Sequence, residues 1–465
     1  MKRLVLHTVV LSALLLALIP VRPCGASGVE GASVTIYGSG RALVGESRSV
    51  NLPKGPAEVV FRNIPDTIDP TSVSATAEGM AVTGLEYRYT PLTRRSLLDR
   101  YVGKELSVIL PDPASGDGRI LRKAVLLANA DKPVFQMGNE IYLGDALAYL
   151  LPKLPEGMDA EPTLALRTEN EAAARRAIRL RYLMGGLTWR ADYTLILDAA
   201  GKSGSLEGWA TVANTSACDF RGATLKLVAG DVRQASAPML RKGMVMAEAA
   251  LAADNMPEPG SFAQFHVYAV PGPVDLSAGG TRQLGLLDAP KVAVAEELEC
   301  RFGNGVRQLA GPEKQAVNLS LRLHNVKDRG LGIPLPAGQV RAYRPTRDGS
   351  LLLLGETPLT HTAVGEEAVL PMGTAFDVTV TRTQTEFTRL GKQSYRIGWS
   401  LAVTNGRPAP QALAIVDGYR GEWQVLSADH AHTRPDASSL RFDVTAPPTP
   451  DGQPLRITYT VQVTY

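Results

Sequence analysis

Residues 187–198 read LTWRADYTLILD and alternate apolar and polar side chains along most of their length. The last residues of the chain, 455–465, repeat this alternation as LRITYTVQVTY, and residues 317–324 do so as VNLSLRLH. A period of two places apolar side chains on one face of a β-strand and polar side chains on the other. The sequence therefore predicts long strands with one buried and one solvent-exposed face.

The composition also favours β structure. With 44 Gly and 32 Pro among 465 residues and only 20% charged residues, the chain is rich in turn-forming positions. The best helical candidates, residues 94–101 and 145–151, are two turns or less. Six dipeptides that favour the positive φ of tight hairpins separate the strands: Asp117-Gly118, Asn304-Gly305, Asp348-Gly349, Asn405-Gly406, Asp417-Gly418 and Asp451-Gly452. We expect an all-β fold of several antiparallel β-sandwich domains with few short helices.

The strand pattern divides the chain into three regions after residue 26. Residues 27–160 form an N-terminal β domain, and residues 161–372 form a central domain of long strands. Residues 373–465 hold about six predicted strands, which is the size and rhythm of an immunoglobulin-like sandwich. Within the central region, residues 237–260 interrupt the pattern with four methionines amid Ala and Pro, and we expect an excursion from the fold there.

Residues 1–26 have the features of a signal peptide. Lys2 and Arg3 precede an apolar run that ends at Pro20, and small residues stand before the expected cleavage site after Ala26. Lipidation at Cys24 and an uncleaved anchor are the alternatives. No later stretch is apolar over such a length, so we expect no transmembrane span after cleavage and a periplasmic or extracellular protein.

Cleavage after Ala26 removes Cys24 and leaves two cysteines, Cys218 and Cys300. Disulfides persist outside the cytoplasm, so a disulfide between Cys218 and Cys300 is one prediction. Two separately buried thiols are the other, because free cysteine packs as a small hydrophobe. The sequence alone does not choose between them.

Several segments, taken together, resemble one bacterial family. They are 185–193 (GGLTWRADY), 227–232 (LVAGDV), 330–341 (GLGIPLPAGQVR), 354–356 (LGE) and 371–378 (PMGTAFDV), with 63–73 (NIPDTIDPTSV) near the N-terminus. In this order they resemble the mucoidy-inhibitor-like proteins, whose C-terminal part is the domain of unknown function 4139. The resemblance implies an exported envelope protein with a β-rich fold and no established catalytic residues. This chain has no heptad pattern for the coiled coil that the family usually carries, so the resemblance implies none of the functions of that helical arm.

The charge balance and the motifs exclude several common functions. Lys and Arg number 49 against 46 Asp and Glu, so we expect no nucleic-acid partner. The sequence has no His-Glu-x-x-His, Gly-x-Ser-x-Gly or complete P-loop motif, and we expect no cofactor and no metal. His430 and His432 could share a strand face as metal ligands, but an exposed loop is the favoured interpretation.

Four carboxylates are candidate catalytic groups of a polysaccharide-active enzyme: Asp192, Asp198, Glu207 and Glu356. A glycosidase needs two carboxylates facing each other across a cleft. The alternating pattern instead favours the solvated face of a one-sided sheet. We therefore expect a protein that is not an enzyme.

The candidate binding residues are tryptophans and the arginines near the 330–341 loop. Trp189 and Trp399 lie on apolar strand faces, whereas Trp209 and Trp423 are candidates for contact with a ligand. Arg341 and Arg344 flank the strand after the loop, which is either a rigid partner-binding loop or a bulged connection between sheets. We expect non-catalytic binding or scaffolding in the cell envelope, with an envelope protein or a glycan as partner. A polysaccharide-active or polysaccharide-binding protein is the alternative, and the oligomeric state stays open.

Overall fold

The computed structural model describes residues 28–112, 118–155, 158, 160–230, 265–303, 307–449 and 453–465. The predicted signal peptide, Cys24 and the 237–260 segment lie outside these residues. The first strands are β1 (Gly28–Glu30), β2 (Ser33–Tyr37), β3 (Ala42–Leu52), β4 (Gly55–Phe61), β5 (Ser74–Thr76), β6 (Met80–Arg88), β7 (Glu105–Pro111), β8 (Arg119–Asn129), β9 (Pro133–Met137), β10 (Glu140–Tyr142), β11 (Ala148–Leu150) and β12 (Thr163–Asn170).

The remaining strands follow. They are β13 (Ala174–Met184), β14 (Leu187–Leu197), β15 (Ser203–Asn214), β16 (Asp219–Ala229), β17 (His266–Leu276), β18 (Thr281–Ala293), β19 (Ala295–Phe302), β20 (Glu313–His324), β21 (Gly338–Pro345), β22 (Leu351–Leu359), β23 (Glu367–Arg389), β24 (Ser394–Asn405), β25 (Gln411–Gly418), β26 (Glu422–Ala428), β27 (Thr433–Asp436), β28 (Ser439–Ala446) and β29 (Leu455–Thr464). One α-helix, α1 (Arg94–Asp99), and two 3₁₀ turns, Pro70–Ser72 and Lys327–Arg329, complete the described elements. The all-β prediction is confirmed.

The described strands form five sheets. A seven-stranded sheet has the order β1-β16-β2-β3-β13-β5, with β17 paired to β16, and a five-stranded sheet has the order β18-β15-β14-β21-β22. A nine-stranded sheet has the order β26-β29-β24-β23-β20-β19-β25-β28-β27. Two smaller sheets have the orders β10-β9-β8-β7-β11 and β4-β12-β6.

The seven-stranded and five-stranded sheets share one hydrophobic core. Ile178, Leu180 and Tyr182 of β13 are fully buried in it, together with Tyr193 and Leu195 of β14. Since side chains alternate along each strand, the residues between them point away from this core. The two sheets therefore form a sandwich that presents one outward face on each side.

The nine-stranded sheet encloses a second core by curling over itself. Phe442 on β28 and Tyr459 on β29 stand near opposite ends of the strand order, yet their ring centroids are 5.0 Å apart. A third, smaller core belongs to β7–β11 and α1, with Leu98, Leu126 and Phe135 buried in it.

Strand direction differs from the antiparallel prediction. Most pairs are antiparallel, but β14 pairs with β21 in parallel, as do β16 with β2 and β19 with β25. Two parallel strands must be joined by a crossover connection, which is usually a helix in α/β proteins. Here the chain forms other strands between the two members of each parallel pair. The sheets are therefore mixed.

The predicted turns and helices are partly corrected. Asp348-Gly349 closes the β21–β22 hairpin, with φ of 84° at Gly349. Asn405 and Asp417 instead end β24 and β25 with buried side chains, and neither strand pairs with the strand that follows it. The helix predicted over 94–101 is α1, whereas residues 145–151 contain strand β11.

The strands also group differently from the three predicted regions. β12 begins beyond residue 160, yet it lies between β4 and β6 of the N-terminal region. β23 runs through the predicted boundary at residue 372, and the nine-stranded sheet already includes β19 and β20. Composition and turn signals mark breaks along the chain, but sheet partners are chosen across long sequence distances.

Candidate functional site

The outward face of the five-stranded sheet collects several of the predicted site residues. Asp192 on β14 is paired with Trp209 on β15 and with Gln339 on β21. Residues paired across neighbouring strands point to the same side of a sheet. Arg341 follows Gln339 by two residues on β21, so it points to the same side, and it is paired with Glu356 of β22. We call this set the Trp209 face: Asp192, Trp209, Thr211, Gln339, Arg341 and Glu356.

Trp209 is the aromatic centre of this face. Its side chain is 40% exposed, although an indole of this size is usually well buried. The neighbouring strand places Gly285 directly opposite, and nothing stands within 4 Å of where a Cβ would be. The indole therefore has open space beside it, on a face that otherwise carries polar groups.

Asp192 is fixed next to the indole. The Thr211 hydroxyl donates a hydrogen bond of 2.5 Å to Asp192 Oδ2, and Arg190 Nε lies 3.2 Å from the same oxygen. Gln283 Nε2 donates in turn to the Thr211 hydroxyl at 3.3 Å. Asp192 is only 8% exposed, so these bonds hold a largely buried carboxylate in one orientation.

Arg341 and Glu356 form the other end of the face. Arg341 Nε lies 3.3 Å from Glu356 Oε1, and both side chains remain about two-fifths exposed. An exposed pair of this kind contributes little to stability but can be displaced by a ligand. Two strand spacings of about 4.8 Å and one step of two residues separate Arg341 from Trp209, or roughly 12 Å. The face therefore presents an aromatic plane with charged and amide groups a short distance away.

The four candidate carboxylates do not converge on a cleft. Asp192 and Glu356 lie on the open Trp209 face, and Glu207 is exposed on the same side of β15. Asp198 instead closes the turn between β14 and β15, where it accepts from Ser203 Oγ at 2.6 Å and from the Lys202 amide at 3.0 Å. The Ser203 hydroxyl lowers the pKa of Asp198, since it stabilises the ionised form.

Trp423 and Arg344 do not join the Trp209 face. Trp423 is 6% exposed in the core of the nine-stranded sheet, where its Nε1 donates to the Ala437 carbonyl at 2.8 Å. The Arg434 guanidinium covers its ring at 3.8 Å from the centroid. Arg344 points to the opposite side of β21 from Arg341 and pairs with Glu296. Trp423 therefore lacks the exposed surface that the sequence pattern indicated, and Arg344 is turned away from the Trp209 face.

The 330–341 segment is tied down as a connection between sheets. Asn325 is fully buried and donates to the carbonyls of Ile333 at 2.8 Å and Ala363 at 2.9 Å, while it accepts from the Gly332 amide at 2.9 Å. The Tyr193 hydroxyl donates to the Pro336 carbonyl at 2.8 Å. Arg341 itself lies in β21 rather than in the loop. This geometry favours the structural interpretation of the segment.

Cys218 and Cys300 are free thiols in separate places. Cys218 is buried in the core that the seven-stranded and five-stranded sheets share, and Cys300 is buried in the core of the nine-stranded sheet. The disulfide considered from the sequence is therefore not formed. Burial raises the pKa of each thiol to about 12.

The histidine pair is engaged in local contacts. His430 Nδ1 lies 2.7 Å from Asp429 Oδ1, and the ring of His432 packs on Phe442 at 5.9 Å. Asp429 also accepts from the Thr458 amide at 2.9 Å, which joins this loop to β29. Across the described ranges, no group of three or more His, Cys, Asp or Glu side chains is arranged to hold a metal ion.

A buried ionic cluster was missed by the sequence analysis. Arg382 Nη1 donates to Asp417 Oδ1 at 2.8 Å, and the hydroxyls of Tyr419 and Tyr459 donate to Asp417 Oδ2 at 2.5 and 2.6 Å. Burial raises the pKa of Asp417, while Arg382 and both hydroxyls act in the opposite direction. In the sequence, Asp417 is followed by Gly418, and this dipeptide predicts a turn instead of a buried carboxylate.

Part of the chain matches a known family model. Residues 34–103 match the family model described as an N-terminal domain of unknown function (DUF4140). This stretch runs from β2 to just beyond α1. A search of curated proteins finds no match for the chain. In the part of the chain that the structure describes, no helix combines the length and apolar character needed to cross a membrane.

Proposed function

We propose that this protein is an exported, non-enzymatic binding protein of the bacterial cell envelope, and that it holds a glycan on the Trp209 face. The exposed Trp209 indole on a polar sheet face is the observation that carries the proposal. The DUF4140 match at residues 34–103 supports the N-terminal part of the resemblance to mucoidy-inhibitor-like proteins. Membership of that family and location in the envelope are part of the proposal.

The chemistry of the face suits a sugar ring. A pyranose has an apolar side made of C–H groups, which packs on an indole plane, and hydroxyls at its edge. The Gln339 amide lies two strands from Trp209 on the same face, within reach of those hydroxyls, and Asp192 between them is held by Thr211 and Arg190. Arg341 and Glu356 offer a further donor and acceptor for a second sugar unit.

Binding is favoured over hydrolysis by the placement of the carboxylates. A glycosidase holds two carboxyl groups on opposite sides of the scissile bond, about 5 to 10 Å apart. Here Asp192, Glu207 and Glu356 share one face of one sheet, Asp198 closes a turn, and Asp192 is occupied by Thr211 and Arg190. A sugar lying on that face meets its three carboxylates from the same side.

The test uses a glycan array with the full-length protein and two aromatic variants. We expect Trp209→Ala to weaken retention of the bound glycans by about tenfold or more, because the stacking surface is lost. Phe376→Ala is the matched control, since Phe376 is 93% exposed on β23 and lies outside the Trp209 face. It should leave retention unchanged.

Two results would contradict the proposal. Equal retention by the wild-type protein and Trp209→Ala would remove the role of the Trp209 face. Turnover of any retained glycan that disappears in Asp192→Asn, with folding intact by circular dichroism, would show an enzyme instead of a binding protein.

A further inference from the structure

The opposite outward face of the sandwich carries a row of arginines. On β13, Ile178, Leu180 and Tyr182 point into the shared core, so Arg179 and Arg181 point outward together with Arg175. All three arginines are exposed. They lie on the seven-stranded sheet, on the other side of the core from the Trp209 face.

Hydroxyl side chains line both sides of this row. On β3, Ser47 is paired with Arg179 and Ser49 with Ala177, and on β5, Thr76 is paired with Arg179. Arg179 borders two shallow grooves of about 550 and 630 Å³. We call this set the arginine face: Ser47, Ser49, Thr76, Arg175, Arg179 and Arg181.

The three arginines have no partner among the described residues. None of them makes a hydrogen bond or an ion pair to the rest of the described chain, whereas Arg176, on the alternate side of β13, donates to the Glu78 carbonyl. Glu46 lies on neighbouring β3, but its carboxylate points inward to the Tyr182 hydroxyl. Glu78 is the acidic residue that borders the same groove. The row is therefore a largely uncompensated strip of positive charge.

We infer that the arginine face binds a linear acidic polysaccharide. From Arg175 to Arg181 the row is roughly 20 Å long, since each residue of a strand advances about 3.3 Å. Guanidinium groups form paired hydrogen bonds with carboxylates or sulfates, and the flanking hydroxyls suit the hydroxyls of the sugar units. This inference is independent of the proposed function, because it concerns a different sheet and a different ligand charge.

Two other polyanions fit the face less well. Single-stranded nucleic acids are held by aromatic side chains as well as by charge, and the positions flanking the row on β3 and β5 carry Ser, Thr, Asn and Gly. Membrane-surface binding places large apolar side chains among basic ones, whereas the apolar residue within the row is Ala177, and Leu43, 37% exposed, lies beyond Arg181 at one groove. A sugar polymer uses both the charges and the hydroxyls.

The test measures binding of the full-length protein to polygalacturonate, with neutral dextran for comparison. We expect binding of polygalacturonate that weakens as salt is added, and no binding of dextran. The double variant Arg179→Ser with Arg181→Ser should weaken this binding by about tenfold, because two charge-assisted contacts are lost. Arg119→Ser with Arg122→Ser, on β8 of a different sheet, removes the same charge and should change binding less than about twofold.

Further measurements separate the alternatives. Trp209→Ala should bind polygalacturonate as the wild-type protein does, while it loses the glycans of the Trp209 face. Unchanged polygalacturonate binding in Arg179→Ser with Arg181→Ser would overturn the inference. So would equal loss in the Arg119 and Arg122 control. Retention of single-stranded DNA or phosphatidylglycerol vesicles without retention of polygalacturonate would assign the face to another polyanion.

Discussion

Arg382 is a charged residue held inside the core of the nine-stranded sheet. Its guanidinium lies between the rings of Phe302 and Trp399, at 4.3 and 4.2 Å from their centroids. Asp417 neutralises it from a position that is 1% exposed. Glu313, at 2.9 Å from Nη2, is the other acid, and it is about one-third exposed. The buried charge therefore depends mainly on Asp417.

Replacing Asp417 should destabilise the protein strongly. In Asp417→Asn the buried guanidinium loses its main counter-charge, and the amide cannot accept from Arg382 and both tyrosine hydroxyls as the carboxylate does. Removal of one partner from a buried pair costs about 3 kcal/mol or more. Guanidinium chloride unfolding measures the change. Asp443→Asn is the control, because Asp443 is 61% exposed beside Arg441, and it should change the unfolding free energy by less than about 0.5 kcal/mol. Equal effects of the two substitutions would show that the cluster is not a stabilising element.

The two buried thiols should be unreactive in the folded protein. Cys218 and Cys300 have pKa values raised to about 12 by burial, and the thiolate is the reactive form. In Cys24→Ser, we expect Ellman's reagent at pH 8 to titrate no thiol in the native protein and two in denaturant. One thiol reacting rapidly without denaturant would mean that a core is open to solvent.

Residue-level predictions succeed where burial follows the strand period. Trp189 and Trp399 are buried, as the apolar faces of their strands indicate, and Trp209 is exposed on the polar face. Trp423 was misassigned because a Gly-Glu-Trp step at a strand start does not define which side faces the core. Asp417 was missed because a sequence shows a buried carboxylate only through its partner, and Arg382 is 35 residues away.

At the scale of single elements, aspartates stabilise several turns. Asp348 accepts from the Thr346 hydroxyl, from the Ser350 hydroxyl at 2.9 Å and from the Ser350 amide at 3.1 Å, and these bonds lower its pKa to about 2. Asp436 accepts from the Ser438 amide and hydroxyl in the same way, and Asp198 from Lys202 and Ser203. Hydrogen bonds to the ionised form lower the pKa of all three groups.

These turns should make the protein acid-sensitive. A carboxyl whose pKa is lower in the folded state stabilises that state above its ordinary pKa of about 3.9, and the stabilisation is lost as the pH falls toward 2. We expect the unfolding free energy to decrease between pH 5 and pH 2.5 in urea titrations. The triple variant Asp198→Asn, Asp348→Asn, Asp436→Asn should show a shallower decrease over that range. Parallel pH curves for the variant and the wild-type protein would contradict this role.

Element types were easier to predict than element partners. The alternation in 187–198 and 455–465 correctly indicates β14 and β29, because a one-sided strand leaves its period in the sequence. The parallel pairing of β14 with β21 leaves no such trace, since it joins residues about 147 positions apart, from Ala191 to Gly338. The Trp209 face depends on this pairing, and so its residues could be named but not brought together. The arginines of β13 show the same alternation, which is the signal that identifies the arginine face.

At the scale of the whole molecule, the sandwich separates two kinds of surface. The shared core lies between the seven-stranded and five-stranded sheets, so the arginine face and the Trp209 face point in opposite directions. One sugar unit therefore cannot contact the arginine face and the Trp209 face at the same time. One face carries uncompensated positive charge, whereas the other carries an aromatic ring with balanced charges. Under the two binding proposals, one molecule would hold a ligand on each of these faces.

The sheet of β7–β11 is inserted into the rest of the fold as a unit. Arg88, the last residue of β6, is paired with Thr163, the first residue of β12, so both ends of the intervening segment lie side by side. The segment has its own core around Leu126 and Phe135. A domain whose ends are adjacent can be removed without changing the strands that carry it.

Excision of this unit should therefore leave the remainder folded. With residues 89–162 replaced by Asn-Gly, β6 and β12 become a hairpin closed by a two-residue turn that matches their twist. We expect a soluble protein that keeps a β-type circular dichroism spectrum, a cooperative unfolding transition and binding of polygalacturonate through the arginine face. Replacement of residues 186–215 by Asn-Gly is the contrasting variant, because it removes β14 and β15 from the shared core, and it should abolish cooperative unfolding. Loss of cooperative unfolding in both variants would show that the inserted sheet is required by the sandwich, and would contradict its independence.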